Sequence, residues 1–171
     1  GCGNLGLALL KGFRKQYPNA QLFGTRRTIE DLVDFGDDKT HFTSDNKEVI
    51  KQCDYLIIAL KPYTILSFLK EHKDFFDVKR HTIISVASGI TLDEIKTALE
   101  FSEVSLYRGM PNTAADVQES MTALTGLTDP LDRKQQVSEL FHAIGDIVWI
   151  DEQLMESATI LGACGIAYVL R

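Results

Sequence analysis

The sequence predicts an α/β fold built on a doubly wound, mostly parallel sheet, and three observations predict it. The run Gly1-Cys2-Gly3-Asn4-Leu5-Gly6 has the spacing G-x-G-x-x-G and opens directly into a helical pattern of Leu5, Ala8, Leu9 and Phe13. Strand-like and helix-like stretches then alternate at intervals of about 25 to 30 residues, the signature of βαβ units. The clearest strand, Tyr55-Leu56-Ile57-Ile58-Ala59-Leu60, is a nearly continuous apolar run, as expected of a strand buried on both faces of a parallel sheet.

The elements follow in order. The first helix is broken by Tyr17-Pro18-Asn19, and Ala20 to Gly24 reads as a short strand. Thr28 starts a helix with Asp31 at the capping-box position, Leu32 and Phe35 on one face, and Gly36 as its stop. His41 to Thr43 is a brief strand and Asn46 to Gln52 a short helix. Lys61-Pro62 ends the long apolar strand, and Ile65, Leu66 and Leu69 mark the next helix. Thr82 to Val86 is another buried strand closing on Ser88-Gly89. Thr91-Leu92-Asp93-Glu94 is a full capping box for a helix through Leu99. Val104 to Tyr107 is a strand broken by Gly109-Met110-Pro111-Asn112, and Met121 to Leu124 is one more. Asp129-Pro130 reads as an N-cap with proline at the first helical position, and Val137, Leu140, Phe141 and Ile144 give that helix one apolar stripe before Gly145. Asp146 to Ile150 is the last strand, after which Glu152 to Arg171 reads as one long apolar helix. This organisation gives a dinucleotide-binding domain over 1–150 and the start of a helical domain over 151–171. A dinucleotide fold also calls for an apolar strand ending just before Gly1, so the first strand is expected to lie outside the given residues.

Composition narrows the function. The chain of 171 residues has 44% hydrophobic and 25% charged residues, ordinary for a globular domain. A net charge of −6, with scattered Lys and Arg, disfavours nucleic acid or an anionic membrane as partner and favours a small molecule. No apolar run reaches the length of a membrane span. Cys2, Cys53 and Cys164 are widely and irregularly spaced, which fits neither a disulfide framework nor a zinc site and points to a reducing cytoplasm. His41, His72, His81 and His142 show no metal spacing, so no metal is assigned.

The glycine loop carries the chemistry. Gly1 permits a tight strand-to-helix turn, Gly3 keeps no side chain between backbone and a pyrophosphate, and Gly6 lets the helix pack close to its sheet. The phosphates would rest on the helix N-terminus, where unpaired N–H groups and the helix dipole favour an anion. An NAD site carries Asp or Glu about 20 residues further on. Here that stretch reads Gly24-Thr25-Arg26-Arg27, and two guanidiniums favour a ribose 2′-phosphate, hence NADP(H) over NAD(H). Cys2 stands where a helix N-terminus could depress its pKa, or where a small residue simply fills the loop.

The glycine loop, Asp45-Asn46-Lys47-Glu48, Ala59-Leu60-Lys61-Pro62, Ser85-Val86-Ala87-Ser88-Gly89-Ile90-Thr91, Met110-Pro111-Asn112-Thr113 and Met155 through Val169 fall in the order and at the spacing of pyrroline-5-carboxylate reductase, and the chain resembles that family from Gly1 to Arg171. The resemblance implies a Rossmann-type domain followed by an all-α dimerisation domain, a homodimer or higher homo-oligomer, and reduction of the cyclic imine 1-pyrroline-5-carboxylate to proline with NAD(P)H. It implies cofactor contacts at Gly1, Gly3, Asn4, Leu5, Gly6, Arg26 or Arg27, Asn46, Ala59, Lys61, Pro62, Ala87 and Ser88. Asn112 and Thr113 would flank the nicotinamide end, with Cys164 and Gly165 toward the substrate, and no catalytic residue is assigned. Local alternatives stand beside these roles. Asn46 and Pro62 also suit a helix start, Lys61 a solvated charge, Asn112 a turn cap and Thr113 an N-cap.

One segment departs from the family. Its helix usually reads Leu-Ser-Gly-Ser-Gly-Pro-Ala-Tyr, whereas this chain has Leu161-Gly162-Ala163-Cys164-Gly165-Ile166-Ala167-Tyr168. Both serines and the proline are replaced. The family's later helices, which build much of the imine site, would lie beyond Arg171, so these residues alone are expected to bind dinucleotide without turning over the imine. Two other readings stay open: a related reductase of another imine or keto substrate, and a catalytically inactive nucleotide-binding relative acting as sensor or interaction module.

Overall fold

The computed structural model describes residues 1–101 and 103–165, leaving aside the side chains of Val33, Thr128, Ala163 and Cys164. In chain order its elements are α1 (Asn4–Gln16), β1 (Leu22–Thr25), β2 (Thr40–Thr43), α2 (Asn46–Gln52), β3 (Tyr55–Ile58), α3 (Pro62–His72), β4 (Thr82–Ser85), α4 (Leu92–Leu99), β5 (Ser105–Met110), β6 (Ser120–Thr128), α5 (Lys134–His142), β7 (Gly145–Trp149) and α6 (Met155–Ala158). The strands form two sheets. β1 and β2 pair in parallel, Leu22 against Thr40, and the other sheet runs β3-β4-β5-β6-β7. Within it only the β5–β6 contact is antiparallel.

Alternation through the sheet builds a core on each face. Ile83 joins Leu56, Ile65, Leu69, Leu92, Ile95 and Leu106 on the α2–α3–α4 side. Its neighbour Ile84 joins Leu9, Phe13, Tyr107, Leu124, Val137 and Phe141 on the α1–α5 side. All four residues of β4 are buried, as a strand covered by helices on both faces requires.

Several elements follow local chemistry visible in the sequence. Asp45 accepts from the Lys47 N–H at 2.8 Å and starts α2. At α4, Thr91 Oγ1 accepts from the Glu94 N–H while the Glu94 carboxylate accepts from the Thr91 N–H, the reciprocal capping box. These bonds hold the Glu94 carboxyl below its ordinary pKa.

Elsewhere the structure corrects the expectation. The helix expected from Thr28 is a 3-10 segment, Glu30–Phe35, in which Leu32 is buried while Phe35 is half exposed, so no apolar stripe anchors a full α-helix. β5 runs on through Gly109 to Met110, and β6 extends from Ser120 to Thr128, because each supplies the other's ladder. Asp129 does not begin a helix. Its carboxylate reaches across a turn to accept from the Arg133 and Lys134 N–H groups at 2.7 and 3.0 Å, and α5 starts at Lys134. β7 begins at Gly145, whose φ of 138° and backbone packing admit only glycine: an added Cβ would stand 2.0 Å from the Ser120 carbonyl oxygen.

The expected long helix from Glu152 is a 3-10 turn (Glu152–Leu154), α6 and then a π-helical stretch, Thr159–Cys164. Thr159 Oγ1 donates to the Met155 carbonyl at 2.7 Å, competing with the backbone ladder where it widens. Ile166–Arg171 lie outside the described residues. β3 also differs, for it ends at Ile58 and only Leu56 and Ile58 of its four residues are buried. Among the described residues no strand lies along its second edge.

Candidate functional site

The loops that follow the parallel strands meet at one edge of the molecule. The Cys2 N–H donates to the Thr25 carbonyl at 2.6 Å, setting the glycine loop beside the end of β1. The Arg26 N–H donates to the Thr43 carbonyl at 3.3 Å, bringing the ends of β1 and β2 and the start of α2 together. A Cβ on Gly1 would stand 3.0 Å from the Ala59 carbonyl oxygen, so the segment after β3 lies against the loop. The Val86 N–H donates to the Ile58 carbonyl at 3.2 Å and places Ala87 and Ser88 next in line. Lys11 on α1 pairs with Asp116 at 2.9 Å, which holds the turn Thr113–Val117 beside the same helix.

The glycine loop has the form its spacing demands. A Cβ on Gly6 would lie 2.2 Å from the Gly1 carbonyl oxygen, a contact only glycine permits. Over Gly3 there is open space, with no atom of the described residues within 4 Å of where its Cβ would stand. Gly3 is the N-cap of α1, no side chain caps that end, and no acidic residue occupies the first turn. The N–H groups of Asn4, Leu5 and Gly6 therefore point outward unclaimed by side chains, which suits a phosphate.

Arg26 and Arg27 are exposed at the mouth of this loop. Arg26 Nη2 lies 3.9 Å from Asp31 Oδ2, a loose surface pair that an incoming anion can displace. Asn46 is the first residue of α2 and half-buried. Lys61 is exposed and N-caps α3 through its backbone, with Pro62 at the first helical position. Ala59 is half-buried, Ala87 buried and Ser88 exposed.

Asn112 caps the turn that follows β5. Its Oδ1 accepts from the Ala114 N–H at 3.1 Å, and its own N–H donates to Ser120 Oγ at 3.1 Å. Thr113 is exposed and is the first residue of that turn, not its cap. Gly165 is half-buried and helical, while the Cys164 side chain lies outside the described residues. Cys2 is only 5% exposed, and burial raises its thiol pKa. It fills the loop and is not an activated thiol.

One pair that sequence reasoning missed lies just behind this edge. Arg108, 3% exposed on β5, donates from Nη1 to Glu152 Oε1 at 2.9 Å. The same oxygen accepts from the Leu92 N–H at 2.7 Å, so one carboxylate ties β5, the start of α4 and the chain leaving β7. The signal available was an arginine inside an apolar strand; its partner, 44 residues away, had none. Among the described residues no group of three or more His, Cys, Asp or Glu side chains is placed to hold a metal ion, and no helix is long and apolar enough to cross a membrane.

Residues 1–89 match the family model described as NADP oxidoreductase coenzyme F420-dependent. Pyrroline-5-carboxylate reductase 1 of Dictyostelium discoideum is 31% identical over all of this chain and 33% of its own length. The chain belongs to this oxidoreductase family, and over its whole length it is similar to pyrroline-5-carboxylate reductases. The structure of a pyrroline-5-carboxylate reductase from Coxiella burnetii superposes with a TM-score of 0.90 at 28% identity, covering 99% of this chain and 64% of that one. A pyrroline carboxylate reductase from Plasmodium falciparum with NADP bound gives 0.81 at 26%, covering 99% and 63%. The chain thus spans between one third and two thirds of the length of these reductases.

Proposed function

We propose that the protein to which these residues belong reduces 1-pyrroline-5-carboxylate to proline, taking its cofactor at the glycine-loop edge. The observation that carries the cofactor part is the uncapped, open start of α1 beside the Arg26–Arg27 turn. Bound there, NADPH supplies the hydride for the imine carbon, and a proton goes to the imine nitrogen. The residues of the chain position and hold. First-turn N–H groups of Asn4, Leu5 and Gly6 take the pyrophosphate, and Arg26 and Arg27 hold the ribose 2′-phosphate. Asn46, Ala59, Lys61, Pro62, Ala87 and Ser88 border the cofactor along the strand ends. Asn112, whose Oδ1 is committed to Ala114, keeps its side-chain amide N–H groups for the nicotinamide end, with Thr113 beside it. The imine site is completed by the segment containing Cys164 and Gly165 and by later parts of the protein.

The reading carries three further proposals. NADP(H) is preferred over NAD(H), because a charge-assisted Arg–phosphate bond contributes about 1.5–3 kcal/mol. The protein self-associates, supported by Leu154, Ile160 and Leu161, exposed at 48%, 58% and 76% along the C-terminal segment. It works in a reducing cytoplasm, in keeping with the free thiols of Cys2 and Cys53.

The deciding experiment is a pair of measurements on the whole protein: fluorescence titration with NADPH and NADH, and NADPH oxidation with 1-pyrroline-5-carboxylate. Tighter NADPH binding and turnover of this imine are expected. Equal affinities overturn the cofactor assignment, and turnover only of a different cyclic imine overturns the substrate.

A further inference from the structure

Arg108 stands where the sheet calls for an apolar residue. It shares one side of β5 with Leu106 and Met110 and lies between Ser85 of β4 and Thr125 of β6, all of them buried. Its Nη1 donates to Glu152 Oε1 at 2.9 Å, while its Nε is buried and has no partner among the described residues. Stability does not account for such a group. Apolar residues of the same volume serve a fold as well as a buried ion pair does, and the idle Nε adds a cost of its own. What the pair supplies is register.

The two elements it joins lead to the two halves of the candidate site. Two residues beyond Arg108, Met110 packs with Met155 of α6, Ala123, Ile150 and Ala158 in one apolar cluster. Only Pro111, whose ring fixes φ, separates Met110 from Asn112. Asn112 is extended, and its N–H is bonded to Ser120 Oγ, so the turn at 113–117 is tied to the end of β5. On the other side, α6 begins three residues after Glu152 and runs into the Thr159–Cys164 stretch, which passes alongside β5. Glu152 is itself fixed twice, since the oxygen that meets Arg108 also accepts from the Leu92 N–H at 2.7 Å.

We propose, resting on the function proposed for this site, that Arg108 and Glu152 are positioning residues. Touching neither cofactor nor imine, they hold the base of the helix that carries Cys164 and Gly165 in register with the Asn112 turn, and so set the distance between nicotinamide and imine. Hydride transfer is steep in that distance, and a misplacement of about 1 Å costs about 100-fold in rate. Holding the cofactor is a separate task. It belongs to the glycine loop and the Arg26–Arg27 turn, to which neither member of the pair is bonded.

Two variants of the whole protein test this. Glu152→Asp keeps both charges and draws the carboxylate back by one bond length, roughly 1.5 Å. Arg108→Met with Glu152→Gln removes both charges and still leaves an acceptor for Leu92; if it does not fold, Glu152→Asp carries the test. In each, kcat with NADPH and 1-pyrroline-5-carboxylate is expected to fall by about 10- to 100-fold, while the NADPH dissociation constant stays within about twofold of native. The geometry is read separately, from nitroxide labels at Val117→Cys and Glu156→Cys, both exposed positions, in a protein also carrying Cys53→Ser and Cys164→Ser. A single narrow distance distribution is expected with the native pair, and a shifted or broadened one in both variants. An unchanged distribution overturns the proposal, as does an unchanged kcat in a folded variant or an NADPH affinity that falls in step with kcat. A native protein that leaves this imine unreduced overturns the proposed function instead, and the label distances then decide the positioning role alone.

Discussion

β4 and β1 are both four residues long and lie in parallel pairings, yet every residue of β4 is buried and only Gly24 of β1 is. β4 has strands on both edges and helices on both faces; β1 has β2 on one edge and, among the described residues, no strand on the other. The difference separates two tasks. The five-stranded sheet carries the stability, while Arg26 and Arg27, the candidate phosphate holders, hang from the end of the less buried β1. Damage to the first region should unfold the protein, and damage to the second should change what it binds.

The sharpest break of that division is Gly145→Ala in the five-stranded sheet. Its Cβ would overlap the Ser120 backbone at a φ of 138°, and a loss of about 3 kcal/mol or more is expected, lowering Tm by roughly 10 °C. Differential scanning calorimetry checks it; an unchanged Tm would show that β7 is not part of the stability core. On the other side, replacing Arg26 and Arg27 together with Ala should lower the NADPH/NADH affinity ratio by about 10- to 150-fold. Tm should stay put, because both side chains are exposed. A fall in Tm without a change in ratio would invert the division.

A smaller effect belongs to α4. Thr91→Ala removes one half of the capping box and should cost about 1 kcal/mol. The remaining contribution of Glu94 has a definite sign. Its carboxyl is held below the ordinary value, chiefly by the Thr91 N–H, so its stabilisation is present above about pH 4.5 and is lost as the pH falls through the lowered folded value. Urea midpoints from pH 7 to 3 should therefore decline in the native protein and decline less in Glu94→Gln. The smallest expected change concerns Gly162, where among the described residues nothing stands within 4 Å of an added Cβ. Gly162→Ser with Cys164→Ser in the whole protein should lower KM for 1-pyrroline-5-carboxylate about several-fold through added hydroxyl donors. An unchanged KM means this segment does not set imine affinity.

What was legible in the sequence was what local chemistry decides. Thr91 announces α4 because a cap acts within three residues, and the apolar run from Tyr55 announces β3. The glycine spacing likewise gave the loop its shape, down to the tight Gly1–Gly6 contact. Asn112 shows the limit, for the turn it caps could be anticipated locally, but its bond to Ser120 depends on β6 arriving beside it. The length of β5 and β6 was hidden for the same reason: Gly109 reads as a break until Leu124 pairs with it. The Arg108–Glu152 bond was invisible because nothing near either residue names the other.

That bond has a consequence for motion. Glu152 pins the chain leaving β7 to a buried guanidinium and to the start of α4, and parting such a pair leaves a charge stranded in the interior. A few residues on, the helix widens over Thr159–Cys164, a geometry at which helices kink. The pivot is therefore expected within residues 159–164 and not at the turn at 150–152, about two and a half helical turns later than the domain boundary suggests. Relaxation dispersion confined to the widened stretch and silent at Glu152 is the signature of that pivot.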